Sequence, residues 1–125
     1  MPITVHAYKS VQNDELRNQI ERLYDISPEF ADGQDALLEL EHNLAEYTLL
    51  YTAELAGELI AAMWSTGQGS RRTLEYVVVH PEHRGRGVAE RLVQETCRMD
   101  AAQGVTEFKP GCGAIHRCLV HLGKI

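Results

Sequence analysis

Residues 77–89, Val-Val-Val-His-Pro-Glu-His-Arg-Gly-Arg-Gly-Val-Ala, carry an apolar β-branched run through a proline and a glycine-rich basic turn into an amphipathic helix. A helix N-terminus presents unpaired N–H groups and a partial positive charge, and it therefore attracts anions. Gly85 and Gly87 leave the backbone bare, so a phosphate can approach those N–H groups closely. Arg84 and Arg86 add charge-assisted donors suited to phosphate oxygens. The segment reads as a pyrophosphate cradle. It is neither of two common phosphate loops. A P-loop needs Lys and then Ser/Thr after its last glycine, where this chain has Val88 and Ala89. A dinucleotide fingerprint needs a third glycine, where this chain has Glu90.

The rest of the chain suits an anionic ligand in that half. Residues 1–60 carry a net charge of −9 and residues 61–125 one of +3, for −6 overall. The basic half holds the cradle, and the acidic half argues against nucleic acid as a partner. At 125 residues, 1–125 is expected to form a single domain with one core. No apolar run approaches the length of a membrane span, so no membrane partner is expected. Three cysteines without a CxxC pair or a secretory segment predict reduced thiols and a cytoplasmic location.

Periodicity orders the elements. Ile3–Tyr8 alternates as a half-buried strand, and Leu16, Ile20, Leu23 and Tyr24 fall at helical spacing after Ser10 or an Asn13 cap. Asp25–Gly33 is a loop, and Ala36, Leu37, Leu40 and Leu44 stripe a second helix. Tyr47–Ala53 and Glu58–Ser65 form a hairpin turning near Ala56-Gly57, and the loop at Gly67–Ser70 leads into a strand at Thr73–Val79. Val88, Ala89, Leu92, Val93, Thr96 and Cys97 mark the helix after the cradle. A short strand near Val105–Lys109, a turn at Pro110–Gly113 and a helix to about Leu122 complete the chain.

Arg84, Gly87 and Ala89 meet the pattern Arg/Gln-x-x-Gly-x-Gly/Ala. With the preceding Val-His-Pro, this resembles the acetyl-CoA-binding motif of the GCN5-related N-acetyltransferases, the GNAT superfamily. The order β-α-α-β-β-β-α-β-α is the topology that resemblance implies, an α+β fold with one layer of mixed sheet flanked by helices and shortened at the C-terminus. It implies that backbone groups of Val77 and Val79, with Val78 between them, line the pantetheine arm of acetyl-CoA. The backbone of Arg84, Gly85, Arg86, Gly87, Val88 and Ala89 would hold its pyrophosphate. The implied activity is transfer of an acetyl group from acetyl-CoA to an amine by direct attack, the acceptor being unidentified.

The resemblance implies a different catalytic half. Leu122-Gly123-Lys124 matches the family's Gly-Phe region, which puts Leu119 where a proton-donating tyrosine usually stands and Cys112 where an asparagine usually stands. Leucine cannot donate a proton. Cys118 is a candidate replacement acid, set against a small buried thiol on a core helix. Glu75 is a candidate base, placed by strand alternation on the same face as Val77 and Val79, set against an outward residue paired to Arg71 or Arg72. Tyr76 falls on the opposite face, and His80 and His83 read as surface residues. Cys112, His116, Cys118 and His121 lie close in sequence, but their spacing on one helix predicts no metal site. The acceptor pocket would come from the loops Asp25–Gly33 and Gly67–Arg72, with Tyr24, Phe30, Tyr47 and Trp64 as candidate walls.

The family's usual final hairpin is not present before Ile125, which predicts an uncovered edge near Val105–Lys109 and pairing there with a second chain. A shortened branch of the family, the PanZ (PanM) maturation factors of aspartate decarboxylase, is similar in length and layout. That likeness covers residues 22–30, residues 57–62 and Arg84–Val88. It keeps open a second function: an acetyl-CoA-responsive regulator that binds a protein partner.

Overall fold

The computed structural model of the chain describes residues 3–44 and 47–125. Its elements are β1 (Thr4–Tyr8), α1 (Asp14–Tyr24), α2 (Gly33–Leu44), β2 (Thr48–Leu55), β3 (Glu58–Thr66), β4 (Arg71–Val79), a 3-10 turn (Pro81–His83), α3 (Val88–Ala101), β5 (Glu107–Pro110) and α4 (Gly113–His121). This is the expected order. The boundaries shift by a few residues: β4 begins at Arg71 rather than Thr73, and β5 occupies Glu107–Pro110 rather than Val105–Lys109.

The five strands lie in the order β1-β2-β3-β4-β5. The first four pair antiparallel, and β5 joins β4 in parallel because α3 carries the chain back across the sheet. Each face buries its own core. Leu16, Ile20, Leu23 and Tyr24 of α1, with Ala36, Leu37 and Leu40 of α2, pack on Leu50, Ala62, Trp64 and Val78. On the other face, Leu92, Val93 and Cys97 of α3, with Ile115 and Leu119 of α4, pack on Tyr51, Ala61, Met63 and Leu74. Among the described residues, no helix is long and apolar enough to cross a membrane.

Two local devices fix α1 and α2. The Asn13 side chain accepts a hydrogen bond from the Leu16 N–H at 2.8 Å, capping α1. At the crossing of the helices, a Cβ on Gly33 would lie 1.8 Å from the Glu21 carbonyl oxygen, so only glycine permits the approach.

β4 is interrupted opposite Met63. Glu75 pairs with Trp64 and Val78 with Ala62, leaving Tyr76 and Val77 against one residue of β3. Tyr76 takes the left-handed conformation, with φ 54°, which is uncommon for a bulky side chain. The fully buried Tyr24 holds it there: its hydroxyl donates to the Tyr76 carbonyl at 2.7 Å. The bulge breaks the alternation that the sequence suggested. Leu74, Val77 and Val79 pack toward α3 and α4, whereas Glu75 sits beside Trp64 and Tyr76 on the α1/α2 side. Glu75 is therefore not on the face of Val77 and Val79, because one extra residue in β4 turns it over.

Candidate active site

The parallel pairing of β4 with β5 ends at Leu74 and Pro110. The Gly111 N–H makes the last contact, donating to the Leu74 carbonyl at 2.7 Å. A Cβ on Gly111 would come within 2.6 Å of the Glu75 Cβ, so the strands part at a glycine fitted against that residue. Beyond it the chain turns into α4, and β4 from Glu75 to Val79 is left without a strand on that side. The His80 N–H donates to the Ile60 carbonyl at 2.8 Å. In a trans peptide the preceding carbonyl points the opposite way, and the Arg84 Nε donates to that Val79 carbonyl at 3.1 Å.

A cleft of about 440 Å³ occupies the opening. Its walls are this β4 edge, the start of α3, Ala114 and Cys118 of α4, and Ile26–Pro28 of the α1–α2 loop. Val77, Val78, Val79, Arg84, Gly85, Gly87, Val88 and Ala89 all line it. Arg86 is exposed and does not. His83, expected on the surface, is half-buried and contributes to the wall.

Gly85 and Gly87 have φ of 75° and 76°, which is why glycine occupies both positions. Gly87 caps α3 without a side-chain hydrogen bond. The first helical bond is donated by the Arg91 N–H to the Gly87 carbonyl, so the Val88, Ala89 and Glu90 N–H groups precede the helix ladder. Glu90 would oppose an anion there, but its carboxylate is drawn aside to the His121 ring on α4. These features fit a pyrophosphate: bare backbone, free donors, a helix dipole and an arginine at the rim.

Glu75 is half-buried, and its carboxyl is pushed above the ordinary glutamate range, mainly by desolvation. It does not pair with Arg71, which meets Glu107, nor with Arg72, which binds Ser65 and Gly67. Instead it borders a second cavity of about 300 Å³ with Phe30, Trp64, Tyr76, Asp35 and Glu39. Cys118 faces the cleft, and burial raises its thiol, with Glu90 adding to the effect. The thiol therefore stays protonated at neutral pH. Leu119 is fully buried under α4 in the core, and Cys112 is the N-cap of α4 without a side-chain cap bond. Among the described residues, no group of three His, Cys, Asp or Glu is placed to hold a metal ion.

Of the aromatic candidates, Tyr24, Phe30 and Trp64 come together. Tyr47 does not. It lines a separate cavity with Gly67 and Arg72, so the Gly67–Arg72 loop does not build the pocket beside Glu75. Three paired positions of β3 and β4, from Thr66 opposite Thr73 to Trp64 opposite Glu75, separate that hairpin from the bulge. Two structural features carried no sequence signal: the bulge at Tyr76 and a buried polar network around Asp100. An aspartate in the last turns of a helix resembles any solvated residue.

A family model described as the acetyltransferase (GNAT) family matches residues 14–116. An acetyltransferase of Photorhabdus laumondii is 33% identical over 73 residues, which cover 58% of this chain and 51% of that protein. The matched segment thus spans about half the length of that curated relative. A GNAT family acetyltransferase structure from Staphylococcus aureus superposes with a TM-score of 0.73 at 16% identity, covering 90% of this chain and 88% of the other. The aminoglycoside acetyltransferase AAC(6')-Iy, solved with a CoA-containing bisubstrate analogue, gives 0.71 at 21% identity over 99% and 90% of the two chains. The superpositions agree with the mixed sheet and four flanking helices, and the family match runs through both the cradle and the split between β4 and β5. The chain belongs to the GNAT family of acetyltransferases.

Proposed function

We propose that the protein binds acetyl-CoA in the cleft along β4 and transfers its acetyl group to an amine. One observation carries this reading: the unpaired β4 edge from Val77 to Val79 runs directly to the uncapped start of α3. The Val88, Ala89 and Glu90 N–H groups and Arg84 would hold the pyrophosphate, and the edge at Val77 and Val79 would hold the pantetheine. When bound, acetyl-CoA supplies an acyl thioester whose C–S bond is exchanged for a C–N bond to the acceptor. Glu75, on the opposite side of the bulge, takes the proton that the acceptor nitrogen must lose. The Cys118 thiol holds a proton in the cleft for the departing sulfur.

The test pairs calorimetry of acetyl-CoA with CoA release against a panel of amines, on wild type and Glu75→Gln. Acetyl-CoA affinity should be unchanged, while turnover falls about 10²–10⁴-fold, the usual contribution of a positioned base. The wild-type rate should fall as pH drops through the raised Glu75 pKa, and this acid limb should vanish in the variant. The same raised pKa means the folded protein binds the proton more tightly than the unfolded chain, so stability from this group is lost as pH rises. Glu75→Gln should therefore melt no lower than wild type at neutral pH. Equal turnover in both proteins removes Glu75 from the mechanism.

A second reading is favoured by Leu119, which puts a buried aliphatic side chain where the family usually has its acid. It is an acetyl-CoA-responsive regulator of the PanZ kind, and it predicts thioester binding with no CoA release on any amine. We also propose that the outer edge of β5 pairs with a second copy. Light scattering should then show a dimer, and a monomer at high concentration removes that interface.

A further inference from the structure

We infer that the cavity on the α1/α2 side of β4 selects an aliphatic diamine as acceptor, one ammonium at Glu75 and the other at Asp35 and Glu39. The inference rests on the acetyltransferase reading of the neighbouring cleft. Phe30, Trp64 and Tyr76 form one wall, with ring centroids 4.5 Å apart for Trp64–Tyr76, 4.9 Å for Phe30–Tyr76 and 5.7 Å for Phe30–Trp64. Trp64 is buried, while the half-buried Phe30 and Tyr76 offer aromatic surface to a cation and apolar area to a methylene chain.

The remaining lining is three carboxylates, Asp35, Glu39 and Glu75, and the amide of Asn43. Asp35 and Glu39 stand one turn apart on α2, Glu75 stands at the bulge, and the lining contains no lysine, arginine or histidine. None of the three carboxylates makes an ion pair among the described residues. Glu29, close by, is raised above its ordinary range by desolvation and then by Glu75, so this corner carries more negative charge than it can neutralise itself. The carboxylates do not converge on a point, as a metal ion would require. Separated anions along an aromatic wall match a ligand with two separated cations. A monoamine would neutralise Glu75 and leave the α2 pair uncompensated.

The test measures binding of 1,4-diaminobutane and 1-aminobutane by calorimetry in the presence of CoA, with no acetyl donor. The diamine should bind about two- to fivefold more tightly, the scale of one further ion pair to exposed carboxylates. Glu39→Gln, on an exposed helix face, should remove most of that preference without changing CoA affinity. Equal affinity for the two amines, no binding of either, or an unaltered preference in Glu39→Gln each overturns the inference. Absence of CoA binding instead overturns the reading of the cleft, and the amine titration without CoA still reports on this pocket.

Discussion

Gly87→Glu is expected to abolish detectable binding of acetyl-CoA and CoA while leaving the protein folded. Gly87 is the N-cap of α3 at φ 76°, and a Cβ there meets no atom within 4 Å. The substitution therefore causes no clash, and its conformational strain is about 1–2 kcal/mol. A carboxylate at a helix N-terminus offsets part of that strain by accepting from the free N–H groups and opposing the dipole. Those are the same N–H groups a pyrophosphate would use. The new side chain is thus an internal competitor carrying the ligand's own sign of charge. Losing two charge-assisted hydrogen bonds corresponds to at least about a hundredfold in affinity, before repulsion is counted. Calorimetry checks this, with Gly57→Glu as control: that glycine has φ 83° at the β2–β3 turn, away from the cleft. Gly57→Glu should bind acetyl-CoA like wild type. Wild-type affinity in Gly87→Glu would show that the turn at residues 84–89 does not hold the phosphates.

The cradle was legible because local chemistry dictates it. A β-branched run, a proline, two glycines and an apolar helical stripe each restrict the backbone over a few residues, and all agree on strand, turn and helix. The hairpin at Ala56-Gly57 and the cap at Asn13 were legible for the same reason, and both appear in the structure. Glu75 was not. Its face depends on the unbroken alternation of β4, and that alternation is broken by a tyrosine in a left-handed conformation held by another tyrosine 52 residues away. Nothing near Tyr76 in the sequence signals this. Unbroken alternation would put Glu75 with Val77 and Val79 on the α3/α4 face, whereas the bulge puts it beside Trp64 and Tyr76 on the α1/α2 face. Phe30 and Trp64 line one cavity and Tyr47 another, although Tyr47 lies only a few residues from Trp64 along the sheet, a division that aromatic character cannot reveal.

Asp100→Ala is expected to be the most destabilising single substitution on the α3 face of the sheet, at about 3–5 kcal/mol. Asp100 is 2% exposed, in the last turns of α3. It accepts from the Tyr51 hydroxyl of β2 and from the Ser65 hydroxyl of β3, the latter at 2.7 Å. Ser65 accepts in turn from the Arg72 Nε of β4 at 2.9 Å, and the other Arg72 nitrogens donate to the Ser65 and Gly67 carbonyls. One carboxylate thereby ties three adjacent strands to a helix. Removing it leaves the buried Tyr51 and Ser65 hydroxyl protons without an acceptor and the Arg72 charge without a nearby anion. For a chain of this length the melting temperature should fall by roughly 10–25 °C. Asp100→Asn keeps one acceptor and should lose about half as much, because a hydroxyl can rotate to accept from the new amide. Thermal or urea unfolding of the three proteins measures the difference. A loss below about 1 kcal/mol in Asp100→Ala would place the network in the class of well-hydrated surface pairs. The network and the cradle also sit at opposite ends of α3. Under conditions where Asp100→Asn is fully folded, acetyl-CoA affinity should therefore change by less than about threefold, as additivity predicts for distant sites.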